Sequence, residues 1–154
     1  MTMSTTKEMS RPIEILLIED NPGDVDIARE GLEASNVKNK LHVVSDGEEA
    51  MAFLRQIGQF EKMPRPDLIL LDLNLPRKDG REVLAEVKFD KELSHIPVVV
   101  LTSSEKEEDI LKSYQLHANC YITKPLKFTE FVKVIKSIET FWFTVVTFSP
   151  GALR

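Results

Sequence analysis

Five short apolar runs, spaced regularly along the chain, limit its fold more than any other feature of the sequence. They are Ile13–Ile18, Leu41–Val44, Leu68–Leu71, Val98–Leu101 and Tyr121–Ile122. Their centres lie roughly 22 to 30 residues apart, which is the length of one strand followed by one helix. The third and fourth runs are continuously apolar, as is typical of parallel strands that are covered on both faces. The pattern therefore predicts a parallel sheet of five strands.

The segments between the runs have the pattern of amphipathic helices. Apolar residues recur at helical spacing in three of them and in the segment after the last run: Ala50, Phe53, Leu54 and Ile57; Val83, Leu84 and Val87; Ile110, Leu111 and Tyr114; and Phe128, Phe131, Val132, Ile135 and Ile138. Residues that cap helix starts precede the first three helices: Asn21 or Asp24, then Asp46, then Asp79. Strands that alternate with helices predict a doubly wound α/β fold with helices on both faces of the sheet.

The length and charge of the chain restrict its class. We expect one domain over residues 13–142, a flexible N-terminal tail over 1–12 and an apolar C-terminal tail over 143–154, because 154 residues suit one core. A net charge of −5 argues against a nucleic-acid partner. No apolar run approaches the roughly 20 residues of a membrane span. A single cysteine, Cys120, fits a reducing compartment, so we expect a cytoplasmic protein.

Polar residues follow four of the five predicted strands. Glu19 and Asp20 follow the first, Asp72 the third, Thr102 the fourth and Lys124 the fifth. Since the carboxyl ends of parallel strands share one edge of a sheet, we expect these side chains to converge there. Three neighbouring carboxylates repel one another unless a cation neutralises them, and oxygen ligands suit Mg²⁺.

This set of side chains is complete for accepting a phosphoryl group. Asp72 follows the most apolar strand and is the best candidate nucleophile, which would form an acyl phosphate. Mg²⁺ and Lys124 would neutralise the phosphoryl oxygens, and the Thr102 hydroxyl would donate a hydrogen bond to one of them. Each residue alone has an ordinary explanation, as a helix cap, a turn residue or a solvated charge. The occurrence of complementary residue types at four different strand ends favours a functional site.

These residues stand in motifs of a known family. The motifs are Ile18–Asn21, Leu71–Pro76 with Asp79–Gly80 after it, Leu101–Ser103 and Lys124–Pro125. Over roughly residues 13–141 the chain resembles the receiver domains of two-component response regulators. The stretches LDLNLPRKDGREVLAEVK and SYQLHANCYITKPL look like the stand-alone regulators that are paired with cyanobacterial and bacterial phytochromes.

The resemblance implies a fold, a partner and a switch. The fold would be flavodoxin-like, with strand order 2-1-3-4-5. Asp72 would take its phosphoryl group from a histidine kinase, and the closer resemblance favours a phytochrome. Thr102 and Lys124 would contact the phosphoryl group. Tyr121 occupies the position of the family's aromatic switch, although a plain core aromatic is the ordinary alternative for such a residue.

The resemblance also implies how the metal would be bound. Asp20, Asp72 and the backbone carbonyl of Asn74 would bind Mg²⁺ directly, and Glu19 would act largely through a bound water. Asn74 also bears on an alternative function, a Mg²⁺-dependent phosphatase that works through an aspartyl phosphate. Such an enzyme would need a second acid two residues after Asp72, and Asn74 stands there instead.

The function that follows is a single-domain response regulator, not an enzyme beyond its own phosphorylation and dephosphorylation. It would signal by phosphorylation-dependent binding to a downstream protein that the sequence does not identify. Two alternatives remain besides the phosphatase. A flavin-binding carrier would need a Ser/Thr/Gly-rich loop after the first strand, where Glu19 and Asp20 would repel a phosphate. A receiver-like binding module without phosphorylation conflicts with the intact acid set.

The C-terminal tail predicts an interface. Six large apolar residues fall within eight positions: Phe141, Trp142, Phe143, Val145, Val146 and Phe148. Monomers rarely expose such a segment, so it either covers its own domain or packs against a second chain. We favour a homodimer through the side formed by the fourth and fifth helices, an arrangement that the phytochrome-type regulators resemble.

Overall fold

The computed structural model describes residues 11–113 and 115–148, and its centre is a parallel sheet of five strands. The strands are β1 (Ile13–Ile18), β2 (Asn39–Val44), β3 (Leu68–Asp72), β4 (Val98–Thr102) and β5 (Cys120–Thr123). They lie in the order β2-β1-β3-β4-β5, and every neighbouring pair is parallel. β3 and β4 are buried at every position, because helices cover both of their faces. The predicted α/β class and strand order are confirmed.

Five helices connect or follow the strands. They are α1 (Pro22–Glu33), α2 (Gly47–Arg55), α3 (Gly80–Phe89), α4 (Glu105–Ser113) and α5 (Phe128–Phe148), with a short 3₁₀ turn over Gly58–Phe60. Three side chains cap helix starts by accepting a backbone hydrogen bond: Asn21 from Asp24, Asp46 from Glu49 and Asp79 from Arg81. Of the two candidates for the first cap, Asn21 is therefore the one used, and Asp24 lies in the first turn of α1.

The predicted extent of α2 is wrong at its C-terminal end. The apolar pattern extends the helix to Ile57, but α2 ends at Arg55 and the Ile57 side chain is 56% exposed. The chain leaves the helix because Gln56 adopts a left-handed conformation, with φ of 59°. Its side-chain amide donates a hydrogen bond to the Met63 carbonyl, 2.8 Å away, and this contact ties the turn to the following loop. Ile110 of α4, also placed on an apolar stripe, is 41% exposed.

The sheet separates two layers of buried side chains. Ile18, Leu71 and Val100 point into the layer formed with α2, α3 and α4. Alternate strand residues, such as Leu17, Leu70 and Val99, point into the layer formed with α1 and α5. Each strand thus contributes to both layers, and the strand ends are left to form an edge where polar groups collect.

The last helix is the longest. α5 runs from Phe128 to Phe148, so the expected boundary between domain and tail, at 142/143, falls within one helix. Residues 149–154 of the expected apolar tail, and 1–10 of the expected N-terminal tail, lie outside the described residues. Among the helices that are described, none has both the length and the apolar character needed to cross a membrane.

Candidate functional site

The strand register brings the predicted site residues together at one edge of the sheet. Asp72 of β3 is opposite Leu101 of β4, and Thr102 is opposite Thr123 of β5. Glu19 continues β1 by donating its N–H to the Val44 carbonyl, 3.0 Å away. The side chains that follow these strands therefore stand side by side, as the alternation of strands and helices predicts.

Three carboxylates meet at this edge. Glu19, Asp20 and Asp72 each place an oxygen within 4.8 Å of the others, and only Asp20 is exposed. Burial, together with the neighbouring Asp72 carboxyl, raises the pKa of Glu19 to about 7, although Lys124 and the Asn21 N–H act in the opposite direction. Such crowding of acids is the arrangement that a cation stabilises.

The donor set fits a divalent cation. All three groups are carboxylates, the ligands that hard cations such as Mg²⁺ prefer. Oε1 of Glu19 is buried and lies 2.8 Å from Nζ of Lys124, so one positive charge already stands beside it. A single ammonium leaves the three carboxylates with excess negative charge, which a divalent cation would neutralise.

Lys124 is the positive charge of the site. Its Nζ lies 2.8 Å from Oε1 of Glu19, 3.0 Å from Oδ2 of Asp24 and 3.2 Å from Oδ2 of Asp72. Burial alone would lower the pKa of Lys124, but the contacts with Glu19 and Asp24 and the charge of Asp72 outweigh it and raise the pKa. The peptide bond between Lys124 and Pro125 is cis. The lysine is therefore charged and lies against the acids.

Asp24 is a site residue that the sequence analysis missed. The sequence indicates only a helix-start acid, since Asp24 follows the cap residue Asn21 by three positions. In the fold, the first turn of α1 faces the end of β5, so the Asp24 carboxylate reaches Lys124. The signal available in the sequence was an acid at a helix start, Asp24, only a few residues after the strand-end acids Glu19 and Asp20.

The backbone around Asp72 fixes its carboxylate. The N–H of Asn74 donates to Oδ1 of Asp72 at 3.0 Å, and Nζ of Lys124 donates to Oδ2 at 3.2 Å. Gly80, at the start of α3, lies so close that an added Cβ would be 2.4 Å from the Asp72 carbonyl oxygen. Glycine is therefore required there, and Asp72 is held from both sides.

Thr102 ends β4, the strand next to that of Asp72, and Tyr121 lies on β5. The buried Thr102 Oγ1 lies 2.9 Å from the Ser104 carbonyl oxygen and 3.0 Å from Oε1 of Glu107. Tyr121 is half-buried against the α2–α4 layer, and its hydroxyl accepts the Ala118 N–H at 3.1 Å. Both side chains thus have partners on the α4 side of the molecule.

Chemically, this edge combines a fixed carboxylate, an acid cluster that suits a cation, a lysine and a hydroxyl. Comparison with known proteins decides the family. The sequence matches the family model of the response regulator receiver domain over residues 15–136. The chain belongs to this family.

Other receiver domains resemble the chain along most of its length. It is 51% identical to the response regulator Rcp1 of Synechocystis sp. over 140 residues, which are 91% of this chain and 95% of that one. The phosphorylated cyanobacterial phytochrome response regulator RcpA matches at 52% identity and a TM-score of 0.76, over 88% and 96% of the two chains. The Mn²⁺-bound form of Rcp1 matches at 52% sequence identity and a TM-score of 0.74, over 86% of this chain and 95% of that one.

Proposed function

We propose that this receiver domain is a single-domain phosphorylation switch in which Asp72 accepts a phosphoryl group from a histidine kinase. The observation that carries the proposal is the setting of Asp72. It is buried at the centre of the acid cluster, with the Lys124 ammonium 3.2 Å from one oxygen and the Asn74 N–H 3.0 Å from the other.

The transfer follows from these contacts. A carboxylate oxygen of Asp72 attacks the phosphorus, the phosphorus–nitrogen bond of the phosphohistidine breaks, and its electron pair returns to the imidazole nitrogen. Lys124 neutralises charge on the phosphoryl oxygens, and the Thr102 hydroxyl donates a hydrogen bond to one of them. The chain then catalyses only its own phosphorylation and the later release of phosphate. Thr102 and Tyr121 carry the change to the α4–β5–α5 surface, where a downstream protein binds.

The metal of the site is Mg²⁺ in this proposal. Asp20, Asp72 and the backbone carbonyl of Asn74 would hold it directly, and Glu19 would hold it through a water. When bound, Mg²⁺ supplies positive charge to the phosphoryl oxygens. The acid cluster and the Mn²⁺-bound form of the relative Rcp1 support this assignment.

The proposed partners are a kinase and a second copy of the chain. Similarity to a cyanobacterial phytochrome response regulator supports a phytochrome as the kinase. The proposed location is the cytoplasm, which the single cysteine favours. The homodimer uses the α4–α5 side, and the apolar sequence from Phe141 to Phe148, within α5, supports it.

Mass spectrometry of the intact protein tests the phosphorylation. With Mg²⁺ and acetyl phosphate as a small phosphodonor, the wild type should gain one phosphoryl group. The Asp72→Ala variant should gain none, and a chelator should abolish the gain in the wild type. Asp26→Ala is the matched control, because it removes an exposed acid of α1. Equal phosphorylation of wild type and Asp72→Ala, or none in either, would contradict the proposal.

A further inference from the structure

Glu107, in the first turn of α4, makes a group of contacts that the proposed function does not use. Its Oε1 accepts the Ser103 N–H at 2.7 Å and also contacts the Ser103 hydroxyl and, at 3.0 Å, Thr102 Oγ1. Its Oε2 is paired with the guanidinium of Arg81, from α3. One carboxylate therefore joins the end of β4 to the starts of two helices.

Capping of α4 explains only part of this arrangement. The Ser104 hydroxyl accepts the Glu107 N–H at 3.3 Å, and the Glu107 carboxylate reaches back to the backbone before it, as in a capping box. Capping does not require the contact with Thr102 or with Arg81. Burial opposes the ionisation of Glu107, but the hydrogen bonds from Ser103 and Thr102 and the charge of Arg81 outweigh it and lower the pKa. The group is an anion at neutral pH.

The Thr102 hydroxyl has one proton to donate. In this structure two acceptors lie within reach of that proton, because Thr102 Oγ1 is 3.0 Å from the Glu107 carboxylate and 2.9 Å from the Ser104 carbonyl oxygen. A phosphoryl group on Asp72 needs the same proton. The hydroxyl therefore cannot donate to Glu107 and to the phosphoryl group at the same time.

We propose that Glu107 is a positioning residue that retains the Thr102 hydroxyl in the unphosphorylated protein and competes with the phosphoryl group for it. This inference rests on the proposed function of Asp72. Arg81 holds the carboxylate in place, since its guanidinium also lies 3.1 Å from Oδ2 of Asp79, the cap of α3. The strength of the Glu107 contact then sets how readily the domain adopts its phosphorylated form.

The test measures binding of beryllofluoride, a non-covalent analogue of the phosphoryl group, with Mg²⁺ by fluorine NMR. Glu107→Gln keeps the shape of the side chain and its capping oxygen but removes the charge that attracts the hydroxyl. Beryllofluoride should bind it about fivefold more tightly than the wild type, because a charged acceptor is stronger than a neutral one by ~1 kcal/mol. Glu108→Gln is the control, since it loses the same charge on the same helix but pairs with Lys112.

A double-mutant comparison separates positioning from capping. In a Thr102→Val background, which has no hydroxyl, Glu107→Gln should leave the affinity unchanged, whereas a general effect on α4 would persist there. If Thr102→Val binds no beryllofluoride, the rate of phosphorylation by acetyl phosphate supplies the same comparison. Urea unfolding verifies that each variant folds, and Glu107→Ala replaces Glu107→Gln if the latter does not.

The outcomes are distinct. Tighter binding by Glu107→Gln that depends on Thr102 supports the proposal. An unchanged or weaker affinity, an equal gain in Glu108→Gln, or a gain that persists in Thr102→Val overturns it. If the wild type neither binds beryllofluoride nor becomes phosphorylated, the proposed function of Asp72 itself fails, and the Glu107 proposal fails with it.

Discussion

At the scale of single residues, the charges of the site converge on Lys124. Its ammonium lies within 3.2 Å of three carboxylates, from Glu19, Asp24 and Asp72. Two of these acids belong to the acid cluster, so a metal ion bound there would compete with the lysine for the same oxygens. The contact of the ammonium with Asp24 would then leave more of the negative charge of Glu19 and Asp72 for the ion.

The contribution of Asp24 gives a prediction for metal binding. Asp24→Asn should weaken Mg²⁺ binding about threefold, because the ammonium then lies closer to the cluster and one nearby negative charge is lost. Isothermal titration calorimetry with Mg²⁺ measures the change. Asp26→Asn, an exposed acid on the same helix, is the control for net charge. Equal weakening in both variants would show that Asp24 acts only through net charge.

The sequence predicted the residues that directly follow apolar strands but not those that approach from helices. Asp72 and Thr102 could be placed because strand ends in a parallel sheet share one edge. Asp24 and Glu107 have an ordinary role at a helix start, and their second role depends on the direction from which α1 and α4 approach the sheet. That direction is set by packing, which no local pattern records.

At the scale of elements, helices α1 and α5 pack closely against each other at Gly31. Gly31 of α1 faces the ring of the buried Phe131 of α5, and a Cβ added there would lie 2.4 Å from Cδ2 and 2.9 Å from Cε2 of that ring. The absence of a side chain at Gly31 therefore permits the ring to fill the space between the helices.

This contact predicts the effect of one methyl group. Gly31→Ala should lower the free energy of unfolding by about 1–3 kcal/mol through overpacking, despite the ~1 kcal/mol that alanine gains over glycine in helix propensity. Urea unfolding followed by circular dichroism measures the change. Phe131→Leu should cost less in the Gly31→Ala background than in the wild type, since the smaller side chain relieves the clash. Strictly additive effects would exclude this contact as the cause.

The elements themselves were predicted well in their interiors and less well at their ends. The apolar runs predicted five strands. All of them except β1 extend one or two residues beyond those runs, because backbone hydrogen bonding, not apolar character, sets a strand's length. The helical pattern continued through Ile57, whereas α2 ends at Arg55. The left-handed turn at Gln56 depends on its contact with Met63, which lies beyond the reach of helical periodicity.

At the scale of the whole molecule, the length of α5 bears most directly on assembly. The helix extends to Phe148, so the apolar sequence that follows Thr140 continues a helix that already packs against α1 through Phe131 and Ile135. Residues 141–148 therefore continue this helix and do not form a separate tail. The apolar character of that sequence is the ground for the proposed pairing with a second chain.

Removing the end of α5 should change the oligomeric state. Light scattering should give the wild type twice the chain mass of 17.5 kDa, and deletion of residues 143–154 should reduce it to one chain mass. Val146→Glu in the full-length chain should have the same effect, and deletion of 149–154 alone is the control. A truncated protein that keeps the wild-type mass would contradict the homodimer through this segment.

The division of the core by the sheet has an evolutionary consequence. A residue in the layer of α1 and α5 packs against different side chains from a residue in the layer of α2, α3 and α4. The effects on stability of one substitution in each layer should therefore add. A lineage can then remodel the surface of one layer without first compensating in the other. The polar residues at the strand ends belong to neither layer, and a duplicated copy can acquire a new partner while they stay the same.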